Sequence, residues 1–311
     1  MDGYWSQERV LPRSWLSMEL LALQRVRRLP PHLFFVASSV FHYLGPAFAV
    51  LLFARLSISG VVLLRIGSAA AVFAVWTRPI AVLKKLDGQS ARLLFAFATV
   101  LAAMNTVFYC AIAALPLATV GAIEFLGPIT LAAIGVRNLR NLAALVLAIA
   151  GVVSLTQARF SGQLGPFVFA FANCLLFSFY IVLGHKLSRN RRTSGVNLLA
   201  VAMCIASLIA APFGAYEISR VVGDPVLLLG GIGVGICSSV LPYVCDQLAM
   251  ARLPRSSFAL FLSLLPATAT VIGIIVLRQV PSEREIIGVA LVIAGITAHR
   301  PPDSQEPKNC L

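Results

Sequence analysis

A few polar side chains interrupt the long apolar stretches of this sequence, and they are the residues that could do chemistry. Arg65 and Glu124 are charged, and Asn105 places an amide in a third apolar stretch. An ionisable group inside a bilayer costs at least about 2.5 kcal/mol, so it normally faces the interior of a helix bundle and marks a site or a pathway. Arg65 and Glu124 suit a zwitterionic ligand, Arg65 attracting a carboxylate and Glu124 an amine or a proton.

These three residues are predicted to lie at one depth. Arg65 and Glu124 are each the eighth residue of their stretch from the same side of the membrane, and Asn105 is the ninth. At 1.5 Å per residue, all three lie roughly 10–12 Å below that boundary. Two interpretations are open. Arg65 and Glu124 form a permanent salt bridge between two helices, or they form a site at which a substrate competes for the pair.

Further candidates stand near them in the sequence. His42 is in the middle of the first apolar stretch, where it either lines a cavity and relays protons or bonds to a backbone carbonyl. Tyr109 is a candidate for the cavity wall. Tyr243 and Asp246 follow Pro242 and could form an inner gate. The alternative is that Asp246 is only a polar residue near the end of a helix, with its carboxylate reaching toward water.

Composition identifies the class of protein that must position these residues. The chain has 311 residues, of which 59% are hydrophobic and 12% are charged, and its mean hydropathy is +0.89. A soluble protein of this length needs far more polar surface. Apolar runs of about 20 residues match helices that cross a bilayer. The sequence therefore predicts an all-α integral membrane protein.

The apolar runs predict ten transmembrane helices, grouped in two halves. Residues 1–32 form a cytoplasmic segment, either a helix on the membrane surface or a plain tail. Residues 33–157 and 165–299 each hold five spans, and residues 300–311 form a cytoplasmic tail. The predicted spans are 33–53, 58–76, 93–113, 117–136, 141–157, 165–184, 196–217, 226–246, 257–277 and 285–299.

The net charge of +13 follows from topology and does not indicate a nucleic-acid partner. Most of the 25 Lys and Arg residues fall in the loops on the side of the two termini. This asymmetry predicts that both termini are cytoplasmic in a multi-pass protein of the cell membrane. The opposite side receives only Arg55, Arg159, Arg220, Arg278 and Arg284.

An internal repeat relates the two halves. One offset of 138 residues aligns Leu115-Pro116 with Leu253-Pro254, and Pro128 with Pro266. Because each half has an odd number of spans, the halves are expected to be inverted relative to each other. Inverted repeats with interrupted helices are typical of transporters, whose substrate site lies near the midplane. Pro128 and Pro266 are predicted to be matching helix breaks.

Three segments carry a resemblance to a known family. "MNTVFY" (104–109), "LPLATVGAIEFLGP" (115–128) and "SSVLPYVCDQLAMARLP" (238–254) are similar to segments of the EamA family of the drug/metabolite transporter superfamily. Within that family the sequence most resembles the RhtA-type threonine/homoserine exporters. It departs from the family pattern at Leu265-Pro266, where a Glu-Pro pair is common, and at Arg278-Gln279, where Gly-Glu is usual.

The resemblance implies ten helices, export of a small metabolite and no cofactor or metal. The leading hypothesis is a secondary transporter that exports small amino acids by proton antiport. A multispecific drug or metabolite carrier is the alternative. A further hypothesis is an intramembrane enzyme with Glu124 and His42 as acid and base. The sequence offers it no paired nucleophile and no set of metal ligands. The expected partners are a small-molecule substrate and the lipid bilayer, and a homodimer is left open.

Overall fold

The computed structural model describes residues 30–84, 86–135, 139–159, 164–188, 195–250 and 264–298. All regular structure in these ranges is helical, and none of it is a strand. The helices are α1 (Pro31–Leu52), α2 (Ile58–Thr77), the short α3 (Pro79–Leu83), α4 (Gly88–Ile112), α5 (Leu117–Gly135), α6 (Leu139–Arg159), α7 (Gly165–Ser188), α8 (Gly195–Val222), α9 (Pro225–Gly235), the π-helical segment π1 (Ile236–Val240), α10 (Leu241–Met250), α11 (Leu264–Leu277) and α12 (Glu283–Ala298).

Seven of the described helical segments are long and apolar enough to cross a membrane. They coincide with seven of the ten predicted spans, and α9, π1 and α10 together form one of them. Two other predicted spans coincide with α5 and α12, and the part of the span 257–277 that lies in the described residues coincides with α11. Of these, Leu117–Leu131 and Leu264–Leu277 are shorter apolar segments. The all-helical membrane prediction is thus confirmed, whereas the count of ten spans stays a prediction.

Local sequence explains where several helices begin and end. The Ser57 hydroxyl accepts a hydrogen bond from the Gly60 N–H and caps α2. Asp224 caps α9 by accepting from the N–H groups of the second and third residues that follow it. Ser282 and Glu285 form a capping box at the start of α12, with the Ser282 N–H 2.8 Å from the Glu285 carboxylate.

Small residues bring particular helices together. A Cβ atom at Gly151 of α6 would lie 2.6 Å from the Gly288 carbonyl oxygen of α12. A Cβ atom at Gly214 of α8 would lie 2.6 Å from the Ser59 carbonyl oxygen of α2. Glycine therefore permits backbone contact at both crossings, as is common between helices in membranes.

Proline does not break the helices in the way that the sequence predicts. α5 runs through Pro128 to Gly135 without interruption, so the predicted break at Pro128 is wrong. A proline removes one N–H group from a helix, and neighbouring helices can support the affected turn. Pro266 is buried in the first turn of α11, and Pro242 follows π1, where the chain does depart from α-helical geometry.

Some predictions concern residues outside the described ranges. These are the N-terminal segment up to residue 29, the Leu253-Pro254 half of the repeat, and the tail at 300–311. Asp246 lies in α10, but its side chain is not among those described.

Candidate functional site

One cavity of about 170 Å³ collects most of the polar residues that the sequence singles out. It lies among α1, α2, α4, α5, α7, α8 and the π1–α10 segment. Its residues share a position on the inward face of these helices. They are His42, Pro46, Arg65, Leu101, Met104, Asn105, Phe108, Glu124, Asn173, Phe177, Tyr180, Leu199, Met203, Ser238, Ser239, Pro242 and Tyr243.

The carboxylate of the site is held by an amide from the second half of the chain. Asn173 of α7 donates a hydrogen bond of 3.0 Å from Nδ2 to Oε2 of Glu124 on α5. Asn173 is 1% exposed, so this bond is shielded from bulk solvent. A hydrogen bond to an ionised group is worth about 1.5–3 kcal/mol net. Asn173 therefore fixes the direction in which the Glu124 carboxyl meets the cavity.

The guanidinium of the site rests on an aromatic ring. Cζ of Arg65 lies 5.2 Å from the ring centroid of Tyr109, which is a cation–π contact. Tyr109 is fully buried, and two further rings pack on it, Phe53 edge-on at 5.9 Å and Phe108 at 5.8 Å between centroids. Among the described residues, Nε of Arg65 has no hydrogen-bond partner. Unpaired buried donors are rare, and a water molecule or a ligand can satisfy them.

Arg65 and Glu124 line the same cavity but do not touch. The ion pairs among the described side chains are Arg55–Asp224 at 3.6 Å and Arg220–Glu217 at 3.7 Å, and neither involves Arg65 or Glu124. The permanent salt bridge that was one of the two interpretations is therefore absent from this structure. Each group instead faces the cavity from its own helix.

Asn105 adds a hydrogen-bond acceptor at the same place. Its Nδ2 donates to the Leu101 carbonyl at 2.7 Å, and the side chain is 4% exposed. Because an amide has a separate oxygen with two lone pairs, Oδ1 of Asn105 keeps its acceptor capacity. The shared depth that the sequence predicts for Arg65, Asn105 and Glu124 corresponds to a shared cavity.

Aromatic residues form much of the remaining wall. His42 lies on it, with its ring edge-on to Tyr43 at 5.2 Å. Tyr243 packs edge-on against Phe73 at 5.6 Å, and Tyr180 stacks on Phe97 at 4.8 Å. These ring contacts support His42, Tyr180 and Tyr243, and the wall is apolar between its polar groups.

Prolines stand at a fixed spacing from three cavity residues. Pro46, Pro128 and Pro242 each follow a lining residue by four positions, namely His42, Glu124 and Ser238. In a helix the carbonyl of a residue normally bonds to the N–H four positions later, which proline lacks. The sequence predictions treated Pro128 and Pro242 only as breaks or gates. The structure places His42, Glu124 and Ser238, the residues four positions before these prolines, on the cavity wall.

Two functional candidates were missed from the sequence. Asn173 is a lone amide in the apolar run of α7, so the argument that selected Asn105 would have selected it also. Ser239 lines the cavity beside Ser238, whose hydroxyl is already bonded to the Val234 carbonyl at 2.6 Å. No sequence signal marks Ser239, because π1 sets its direction.

Comparisons with known proteins place this geometry in context. Residues 164–298 match the model of the EamA-like transporter family. The chain is 28% identical over 270 residues to the threonine/homoserine exporter RhtA of Salmonella typhimurium LT2, covering 84% of this chain and 90% of the relative. It is 28% identical over 253 residues to the threonine/homoserine exporter RhtA of Escherichia coli K12, covering 80% and 84%.

A solved crystal structure shares the fold. It superposes with a TM-score of 0.57 at 17% sequence identity, covering 86% of this chain and 96% of that structure. At this identity the similarity concerns the fold alone.

Proposed function

We propose that the chain exports small amino acids across the cell membrane. The proposal is supported by its EamA-like transporter domain and by its homology, over most of its length, to threonine/homoserine exporters. The observation that carries the proposal is the cavity. It exposes a guanidinium from α2 and a carboxylate from α5 that are not neutralised by each other. A zwitterionic substrate supplies the opposite charges for both groups.

The size of the cavity favours a small substrate over a drug-sized one. Pockets for drug-sized ligands generally enclose about 300–1,000 Å³. The cavity here has a volume of about 170 Å³, and Tyr180 on its wall is stacked against Phe97. This supports an amino acid and argues against the alternative of a multispecific drug carrier.

Glu124 is the proposed site of proton coupling. It is the only carboxyl group among the residues that line the described cavity. A carboxyl group that can gain or lose a proton while facing the substrate site can make proton and substrate binding mutually dependent. Exchange of an outward-moving amino acid for an inward-moving proton follows if the two occupy the site in alternate steps.

For the architecture, we propose ten helices in two inverted halves with both termini in the cytoplasm. The contacts between helices support this architecture, because each of the following pairings has a counterpart when the two halves are exchanged. α1 packs on α10 and α11, and its counterpart α7 packs on α4 and α5. α2 pairs with its counterpart α8, and α6 with α12. Inverted halves around a central site are the arrangement that many transporters use for alternating access.

The direct test is transport by purified protein in proteoliposomes. Wild-type protein should exchange labelled threonine or homoserine and respond to an imposed pH gradient. Glu124→Gln keeps the size and the Asn173 contact but cannot carry a proton, so it should lose at least 90% of gradient-driven flux, a change of about 1.4 kcal/mol or more. Gln157→Glu on the exposed part of α6 is a control for reconstitution. Full gradient-driven flux in Glu124→Gln would remove this residue from the mechanism.

A wider substrate panel separates the two transport hypotheses. If the protein transports threonine and homoserine but no bulky hydrophobic cation, the result agrees with the small cavity and with amino-acid export. Flux of the cations without any amino acid would instead establish the multispecific carrier.

A further inference from the structure

A second cavity, of about 410 Å³, lies between α2, α4 and α8, and we call it the lateral cavity. Its walls are mostly small and apolar side chains. They are Ser59, Val62, Thr99, Ala102, Ala103, Thr106, Val107, Ile209, Ala210 and Phe213. α4 separates it from the cavity of Arg65 and Glu124, which Leu101, Asn105 and Phe108 of the same helix line. The two cavities share no lining residue, so the lateral cavity is distinct from the candidate substrate site.

The lateral cavity opens on the surface of the helix bundle, at a depth that lies within the apolar layer of the membrane. Thr99, Thr106 and Phe213 on its wall are exposed, Phe213 by 75%. At 1.5 Å per residue, its residues on α4 and α8 lie about 8–20 Å from the ends of those helices on the Arg220 side. Because the hydrocarbon core is about 30 Å thick, an occupant of this cavity comes from the lipid.

The few polar side chains of the lateral cavity already have partners. Thr99 and Thr106 each donate to the carbonyl four residues earlier in α4, at 3.0 and 2.9 Å. The Ser59 hydroxyl oxygen lies 3.2 Å from that of Ser57. A buried water molecule needs two to four polar partners, which these walls do not offer. An empty cavity would forfeit the dispersion contacts of its lining, so the chemistry of the walls suits a hydrocarbon chain.

A cationic side chain stands above the lateral cavity, on the same face of α8. Phe213, Glu217 and Arg220 follow one another at spacings of four and three residues, which align on a helix. Glu217 packs on α2, since a Cβ atom at Gly60 would lie 2.8 Å from the Glu217 Cβ. Arg220 is in the last turn of α8, its side chain is 65% exposed, and it pairs with Glu217 at 3.7 Å. It therefore lies about 10 Å along the axis from Phe213, toward the membrane boundary.

We infer that the lateral cavity binds one acyl chain of a membrane phospholipid whose phosphate contacts Arg220. A guanidinium has five N–H donors and binds phosphate in a bidentate manner, so Arg220 can hold a phosphate while it stays paired with Glu217. Because Glu217 balances the charge of Arg220, a zwitterionic headgroup is expected to suit the site. The inference goes beyond amino-acid export and does not rest on it.

Filling the lateral cavity tests the position of the acyl chain. Ala103→Trp places a large ring in the cavity, whereas Ala96→Trp places it on an exposed position of α4 two turns away and outside the cavity. Binding of palmitoyl-oleoyl phosphatidylethanolamine to each purified full-length protein is measured by native mass spectrometry. Wild-type protein and Ala96→Trp should hold one lipid with equal affinity, and Ala103→Trp should bind it at least about tenfold more weakly because the chain contacts are displaced. Equal affinity in all three proteins, or an equal loss in both variants, overturns the inference.

Removing the guanidinium tests the position of the phosphate. Arg220→Gln should weaken binding of the phospholipid about three- to tenfold, as expected for a lost charged hydrogen bond, and should leave binding of the diacylglycerol with the same two chains unchanged. Arg284→Gln is the matched control, because this exposed residue of α12 lies outside the lateral cavity. A loss of affinity that is the same for both lipids, or the same in both variants, contradicts the phosphate contact.

A measurement on wild-type protein alone covers the case in which Ala103→Trp does not fold. The protein is reconstituted with a phosphatidylethanolamine that carries a photoreactive diazirine on its acyl chain, and the labelled peptides are identified after irradiation. Labelling should concentrate on α4 and α8 around the lateral cavity. Even labelling of all lipid-facing helices, including the exposed face of α6, would mean ordinary surrounding lipid only and would overturn the inference. Light scattering adds one further outcome: a wild-type dimer that Ala103→Trp converts to a monomer would show that a second copy covers this face, and the inference would be wrong.

Discussion

Replacing Gly45 by alanine tests the contact on which the cavity geometry depends. The added Cβ would lie 2.7 Å from the Ser238 nitrogen and 2.9 Å from its Cα, and it would also clash with the Ser238 hydroxyl. Two of these three atoms are backbone, so a side-chain rotation cannot relieve the overlap. α1 and π1 must move apart.

The magnitude follows from two opposing effects. Overpacking of this kind costs about 1–3 kcal/mol. Alanine in a helix interior regains about 0.5–1 kcal/mol relative to glycine. The net expectation is a loss of about 0–2.5 kcal/mol in the free energy of unfolding, together with a strong loss of transport because the cavity wall has shifted.

The assay compares Gly45→Ala with Gly233→Ala. Gly233 lies in α9, and a Cβ there would meet nothing within 4 Å, so the same chemical change should be neutral or slightly stabilising. Denaturant titration in detergent gives the free energy of unfolding, and threonine flux in proteoliposomes gives the function. Wild-type stability and flux in Gly45→Ala, or equal damage in both variants, would refute the close approach of α1 and π1.

Two other predictions concern single hydrogen bonds. Asn173→Leu removes the donor to Glu124 and should reduce threonine flux about tenfold. Asn173→Gln can still donate a hydrogen bond and should keep more of the flux. Initial rates of threonine flux for the two variants test this difference. Gln279→Ala removes the side-chain oxygen that accepts from the Leu117 N–H at 3.1 Å, so it should lower the free energy of unfolding by about 0.5–2 kcal/mol in denaturant titration. Gln157→Ala on an exposed surface should change it far less, and equal losses would show that the contact with α5 is unimportant.

The Gln279 contact belongs to the turn that follows α11. Arg278 adopts a φ of 54°, a conformation in which glycine is normally preferred, and so keeps the turn. Gln279 uses its amide oxygen to cap α5 from the second half of the chain. The turn and its capping contact therefore do not need a carboxylate.

The candidate site was partly predictable because burial of charge is costly. Arg65, Asn105 and Glu124 were selected since each is a polar group in an apolar run, and the structure places all three on one cavity. Their contacts were not predictable in the same way. Two residues at the same depth in the membrane can still point in different directions, because depth does not fix the rotation of each helix about its axis. The salt bridge between Arg65 and Glu124 therefore does not form, and Glu124 bonds to Asn173 instead.

What the sequence by itself determined is the class of protein, the position of its apolar helices and the identity of its buried polar groups. These follow from requirements that act along the chain, namely about 20 apolar residues per crossing and the cost of an ionisable group in hydrocarbon. Only the tertiary structure decided which helices are neighbours, that π1 interrupts α-helical geometry before Pro242, and that α5 continues through Pro128. Those outcomes depend on the packing of Gly45 against Ser238 and on hydrogen bonds between residues far apart in the sequence.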